Sequence, residues 1–302
     1  MQISGSITAL ATPFGASRAI DWTAWERLLT RQLEAGTQGL VVAGSTGEAA
    51  MLSANEFSEL VKCTVTFVAG RVPVVAGASQ SGTAQTISQC QRAQDAGVDA
   101  VLVAAPAYVR PTQEGLYQHF SAVTAALDIP IVLYNVPSRT AVDLLPETVA
   151  RLAPDPGIVA IKDAVGKIER MQALLALRGP DFAVLSGDDG SACDSLLAGA
   201  DGVVSVASNV VPMVLRTLCD QARGGHAEEA RRLNATLTEV FRVLALEPNP
   251  TPVKAILAAL GVCENHLRLP LLPLSSRFVP EVEALVEVIH QVEARPWPQH
   301  AT

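Results

Sequence analysis

The 302-residue sequence predicts an α/β protein, a (β/α)8 TIM barrel with a C-terminal helical appendage. Three observations carry this. Short Val/Ile/Ala/Leu runs, each closing on a polar or glycine-rich turn, alternate with longer segments whose apolar residues recur at i, i+3 and i+4. The short runs are almost continuously apolar, as strands buried on both faces require. Eight such units fill roughly 225 residues, the usual size of this barrel; a doubly wound sheet more often has five or six strands and a G-x-G-x-x-G turn, which is absent here.

The strands are expected, in order, at Ile7–Leu10, Gly39–Val42, Val72–Ala76, Ala100–Ala104, Ile131–Tyr134, Ile158–Ile161, Ala183–Leu185 and Val203–Ser205. Between them, Trp22–Ala35, Ala54–Ala69, Thr83–Ala96, Gln113–Leu127 and Ile168–Leu177 carry the helical period, and Gly36 and Gly97 stand where helix C-caps take glycine. After Ser205 no further strand is expected. Residues 210–222, 226–246, 252–260 and 279–294 read as helices, with Pro248, Pro250 and Pro252 marking a hinge. The division expected is a catalytic barrel over 1–224 and a helical region over 225–302.

Composition narrows the function classes. Lys+Arg 22 against Asp+Glu 30 gives a net charge of −8 with no basic cluster, which argues against nucleic-acid or anionic-membrane partners. Hydrophobic residues at 49% against 17% charged describe a compact chain, and no apolar run approaches the roughly 20 residues of a membrane span. The N-terminus reads as neither signal peptide nor anchor. The five cysteines are scattered without a C-x-x-C pair, as expected of reduced thiols in a cytoplasmic protein. The five histidines form no metal-ligand spacing, so neither a zinc hydrolase nor any other metal site or cofactor is expected.

In such a barrel the chemistry sits at the C-terminal strand ends. Those ends carry Thr12, the Gly44-Ser45-Thr46-Gly47-Glu48 turn, Pro106-Ala107-Tyr108, Tyr134-Asn135, Lys162-Asp163 and Ser186-Gly187-Asp188-Asp189. Of the four lysines, only Lys162 closes a buried strand. Desolvation of an amine favours its neutral form, the nucleophile that attacks a carbonyl to give a Schiff base; the alternative is a solvated lysine or an ion pair with Asp163. Tyr134, one unit earlier, reaches the same mouth, where a phenol passes protons without being charged at rest, or else serves as a core tyrosine bonded at its tip. The glycine turn with two hydroxyls and exposed N–H groups suits a small carboxylate, although many such turns bind nothing. Asp188 and Asp189 are either metal ligands or helix caps.

Gly44-Ser45-Thr46-Gly47-Glu48, Arg110-Pro111-Thr112-Gln113-Glu114-Gly115-Leu116-Tyr117-Gln118-His119-Phe120, Tyr134-Asn135-Val136-Pro137-Ser138-Arg139-Thr140, Ile161-Lys162-Asp163, Ser186-Gly187-Asp188-Asp189 and Glu247-Pro248-Asn249-Pro250-Thr251-Pro252-Val253-Lys254 resemble the dihydrodipicolinate synthase family, in order, over residues 3–274. The wider group of pyruvate-dependent class I aldolases shares the barrel, the lysine and the tyrosine. The resemblance implies a lyase of lysine and diaminopimelate biosynthesis. In it Lys162 forms the Schiff base with pyruvate, and the derived enamine attacks L-aspartate 4-semialdehyde to give 4-hydroxy-tetrahydrodipicolinate. It implies a proton relay of Tyr134, Ser45 and Tyr108, with Tyr108 reaching a neighbouring subunit of a homodimer or homotetramer. Thr46 corresponds to the residue that holds the pyruvate carboxylate. Arg139 corresponds to the guanidinium that receives the semialdehyde carboxylate, and Gly187 and Val204 to residues lining the pocket.

One departure stands out. Most members have threonine where this chain has Ser45, and Gly-Ser-Thr-Gly-Glu is similar to the turn of N-acetylneuraminate lyase; serine keeps the hydroxyl, and Arg139 is unlike the sialic-acid enzymes. N-acetylneuraminate lyase or another pyruvate aldolase is therefore the alternative, and a non-catalytic pyruvate-binding barrel a more distant one. Lysine-sensitive members bind L-lysine at the dimer interface; the corresponding positions here are Ala49, Ala54, Phe57, Ser81, Gln85 and Ala107. Gln85 stands where a carboxylate would offset the ammonium charges, so weak or absent inhibition by lysine is expected.

Overall fold

A computed structural model describes residues 3–295. Eight parallel strands close into a barrel in sequence order: β1 (Gly5–Ala9), β2 (Gly39–Val42), β3 (Val74–Gly77), β4 (Ala100–Ala104), β5 (Ile131–Asn135), β6 (Ile158–Asp163), β7 (Ala183–Ser186) and β8 (Gly202–Ser205), with β8 pairing back on β1. Each strand alternates between two apolar surroundings, which is why its sequence is nearly all apolar. One set of side chains, including Ile7, Val41, Val75, Leu102, Val132, Ala160, Leu185 and Val204, packs together in the barrel interior. The other, including Leu40, Val101, Leu133 and Ile161, meets the helices.

The strands run further towards the functional end than the apolar runs suggest, because Asn135, Asp163 and Ser186 still pair with their neighbours. β3 starts at Val74 rather than Val72, since Pro73 has no N–H to give a ladder. Helix starts follow their caps: Asp21 accepts from the Ala24 N–H, Thr112 from that of Gly115, and Ser53 and Glu56 form a reciprocal capping box.

Beyond the barrel helix Pro212–Arg223 the described residues form helices and no strand, but residues 226–246 are two helices, Ala227–Thr236 and Thr238–Leu244, and not one. The Thr236 and Thr238 hydroxyls donate to the Leu233 and Ala235 carbonyls, competing with the helix ladder at the break. Pro252 does not mark a hinge; it lies in the first turn of the helix Thr251–Ala259, where its missing N–H costs nothing. The last helix, Val279–Glu293, returns to the barrel: its Glu293 carboxylate accepts from the Met213 and Val214 N–H groups and caps the helix Pro212–Arg223. Among the described residues no helix is long and apolar enough to cross a membrane.

Candidate active site

Lys162 is the penultimate residue of β6 and shares the inward face with Ala160, two residues earlier. Its register partner on β5 is Tyr134, so both side chains enter the barrel mouth at one level. The ammonium nitrogen lies 4.3 Å from the centre of the Tyr134 ring. Only 5% of Lys162 and 8% of Tyr134 is exposed. Space for the lysine stem comes from Gly187, where a Cβ would lie 2.8 Å from Lys162 Cε and 2.9 Å from Cγ. Ala9, Ala104 and Val204 belong to the same interior apolar group.

An ion pair between Lys162 and Asp163 is ruled out by strand alternation, which turns Asp163 outwards. There its carboxylate accepts from Arg170 Nε at 2.7 Å and from Asn135 Nδ2 at 2.9 Å. Arg170 also donates to Asp143 at 3.1 Å and to the Leu144 carbonyl at 2.6 Å, and Asn135 Nδ2 donates to Asp143 at 2.8 Å. One guanidinium thus ties the ends of β5 and β6 to the segment between them. The sequence reading overlooked Arg170 and Asp143; the signal available was an outward carboxylate at a buried strand end, which requires a cation.

The Gly44–Glu48 turn starts after Ala43 (φ 52°) and ends on Glu48 (φ 56°), both left-handed without being glycine. The end of β3 fits beneath it because Gly77 lacks a side chain: a Cβ there would lie 2.4 Å from the Ala43 carbonyl oxygen. Within the turn the N–H groups of Gly47, Glu48 and Ala49 donate to the Gly44 and Ser45 carbonyls, which leaves those of Ser45 and Thr46 for an anion. Thr46 is buried, and its Oγ1 accepts from Asn249 Nδ2 at 2.9 Å, keeping its own proton free to donate; Ser45 is exposed. The Asn249 carbonyl accepts from Arg139 at 2.7 Å, so this residue, also unforeseen, links Thr46 to the guanidinium.

Tyr108 stands outside this group: it is 92% exposed, with φ 74°, beside exposed Ala107 and Val109. Neither Asp188 nor Asp189 caps the helix Ala192–Leu197 that follows them, whose N-cap is Ser191. Asp188 accepts from the Ser191 N–H and hydroxyl, and Asp189 from the N–H groups of Val206 and Ala207 after β8. Burial raises the Asp189 pKa in spite of those donors. Among the described residues no group of His, Cys, Asp and Glu has the arrangement of a metal site. Lys254, read from the sequence as a residue of the appendage, is fully buried and ion-paired with Glu48; burial lowers its pKa against the pull of that carboxylate.

An amine desolvated at the end of a parallel barrel strand, with a phenol against it and a turn with two unengaged amides after β2 of the same barrel, defines a Schiff-base-forming lyase of the aldolase type. The model of the dihydrodipicolinate synthetase family matches residues 2–289, and the chain belongs to that family. It is 54% identical over 294 residues to the 4-hydroxy-tetrahydrodipicolinate synthase of Xanthomonas campestris pv. campestris, covering 97% of each chain. The crystal structure of the chloride-inhibited dihydrodipicolinate synthase of Acinetobacter baumannii complexed with pyruvate superposes with a TM-score of 0.94 at 38% identity, covering 96% of this chain and 99% of that one. A monomeric dihydrodipicolinate synthase variant superposes with a TM-score of 0.93 at 40% identity, over 95% and 97% of the two chains.

Proposed function

We propose that this chain is a 4-hydroxy-tetrahydrodipicolinate synthase that condenses pyruvate with L-aspartate 4-semialdehyde, and that the residues above divide the work. The observation that carries the reading is the buried Lys162 amine against the Tyr134 ring. The Lys162 amine adds to the pyruvate ketone, the carbinolamine loses water, and the imine gives up a methyl proton to become an enamine. The enamine carbon bonds to the semialdehyde carbon, and the resulting alkoxide takes a proton. The semialdehyde's amine then adds to the imine carbon and expels the Lys162 amine, closing the ring. One water is released overall.

Tyr134 and Ser45 carry the protons. The Ser45 and Thr46 amides and the Thr46 hydroxyl hold the pyruvate carboxylate. Arg139, whose guanidinium spends one N–H on Asn249, offers the rest of its fork to the semialdehyde carboxylate. Gly187 and Val204 line the pocket. Tyr108, exposed on its loop, completes the relay in a second copy of the chain, so the active species is a homodimer or, as a pair of dimers, a homotetramer.

The substrate assignment is tested by competition. With pyruvate present, L-aspartate 4-semialdehyde is expected to be consumed far faster than N-acetylmannosamine. Arg139→Ala is expected to lower kcat/KM for the semialdehyde by about 10²-fold, the scale of a lost charge-assisted pair, while pyruvate trapping is preserved. Turnover of the sugar at an equal or higher rate replaces this reading with that of a sialic-acid lyase.

Regulation gives an independent check. Phe57 is turned into the core, and Ala54 and Ala107 offer no polar group to an amino acid. An L-lysine titration of initial rate, with both substrates near KM, is expected to be flat; strong partial inhibition at sub-millimolar lysine contradicts it.

A further inference from the structure

We infer that the buried Glu48–Lys254 ion pair is a positioning device that holds the Ser45–Thr46 turn in its anion-binding form, so that pyruvate affinity depends on Lys254, a residue that touches no substrate. The inference rests on the role proposed above for that turn. Lys254 projects from the helix Thr251–Ala259 and donates to Glu48 Oε1 at 2.6 Å and to the Thr12 carbonyl at 2.9 Å. Both side chains of the pair are 0% exposed, and the ammonium also lies 4.4 Å from the centre of the Phe14 ring. The other carboxylate oxygen accepts from the Arg268 N–H at 3.0 Å. Thr12 in turn donates its hydroxyl to the Gly47 carbonyl at 2.7 Å.

The ammonium therefore joins the end of the β1 loop to the last residue of the turn, in directions fixed by two acceptors. Glu48 is left-handed without being glycine, a conformation that persists only where the surroundings impose it. Packed apolar side chains of the same volume would stabilise the fold as well as a buried ion pair does, but they would not fix the direction of the Glu48 side chain. Two residues before it lies Thr46, and one further back Ser45, whose amides are left for the anion. A rotation of the Glu48 backbone misaligns both. The bond from Asn249 to the Thr46 hydroxyl does not replace this restraint, because it acts on a side chain and leaves the peptide planes free.

The test compares Lys254→Met with the double variant Glu48→Gln/Lys254→Met, which leaves no unpaired buried charge. In both, the KM for pyruvate is expected to rise about tenfold or more, with kcat at saturating pyruvate and the KM for the semialdehyde within about threefold of the parent. The double variant is expected to recover the Tm lost by the single one and still keep the raised pyruvate KM. A role confined to stability predicts instead that pyruvate KM returns with Tm. A pyruvate KM within about twofold of the parent in the folded double variant overturns the inference, as does a proportionate decline in all three constants. Where the single variant does not fold, the double one decides. Absence of borohydride-trapped pyruvate in the parent chain is a failure of the functional reading, and is recognised before any variant is made.

Discussion

Borohydride added in the presence of pyruvate is expected to fix one reduced pyruvyl group on this chain, located on Lys162 by peptide mass analysis. Lys162→Ala is expected to lose the adduct and to lower turnover on the order of 10⁴-fold or more, since no other group supplies the covalent step. The remaining lysines are not placed to substitute: Lys62 lies exposed on the helix Ala54–Val68, Lys167 is exposed in the loop after β6 and belongs to no barrel strand, and Lys254 is engaged with Glu48 and Thr12. Lys162→Arg is expected to fail equally, because a guanidinium stays charged and forms no imine. An adduct persisting undiminished in Lys162→Ala would sink the assignment.

Gly187→Ala is expected to separate activity from stability. The added methyl carbon would stand 2.8 Å from Lys162 Cε and 2.9 Å from Cγ, inside van der Waals contact. The lysine stem is flexible and yields, while Ala164 Cβ, 3.1 Å from the added methyl, has to give by a few tenths of an ångström, so Tm is expected to fall modestly and kcat much further. The Lys162 amine then leaves the position beside the Tyr134 ring, and a displacement of about 1 Å at a reacting atom costs on the order of 10²-fold in rate. Measurement of kcat together with Tm checks this; unchanged kcat would show that the lysine reaches its working position by another rotamer.

Much of this molecule was legible in its sequence because burial on both faces leaves a plain mark. Eight continuous apolar runs have few other uses, and the residues that end them are the ones the barrel brings to its mouth. What stayed hidden depends on direction and distance. Asp163 follows Lys162 in the chain, yet strand alternation sends one into the barrel and the other to Arg170, and only the three-dimensional arrangement identifies that arginine. Lys254 was legible in part: Pro252, Val253, Ala255, Ile256 and Leu257 surround it, and a helix apolar all round is a buried helix, whose cation needs a carboxylate. That this carboxylate is Glu48, some two hundred residues away, follows from no spacing rule. Likewise Asn249 becomes meaningful only when its two partners, Thr46 and Arg139, are seen on either side of it.

The guanidinium of Arg170 has an evolutionary consequence. It fastens the ends of β5 and β6 from outside the barrel, through Asn135, Asp143 and Asp163, so the spacing between Tyr134 and Lys162 is set on the face opposite the substrates. The segment Val136–Val142, which carries Arg139 on the short helix Pro137–Thr140, contributes none of those side chains. On the role proposed for Arg139, mutations there alter the fit to the second substrate while the spacing between Tyr134 and Lys162 is kept. A barrel built this way separates the inheritance of a reaction from the choice of its second substrate.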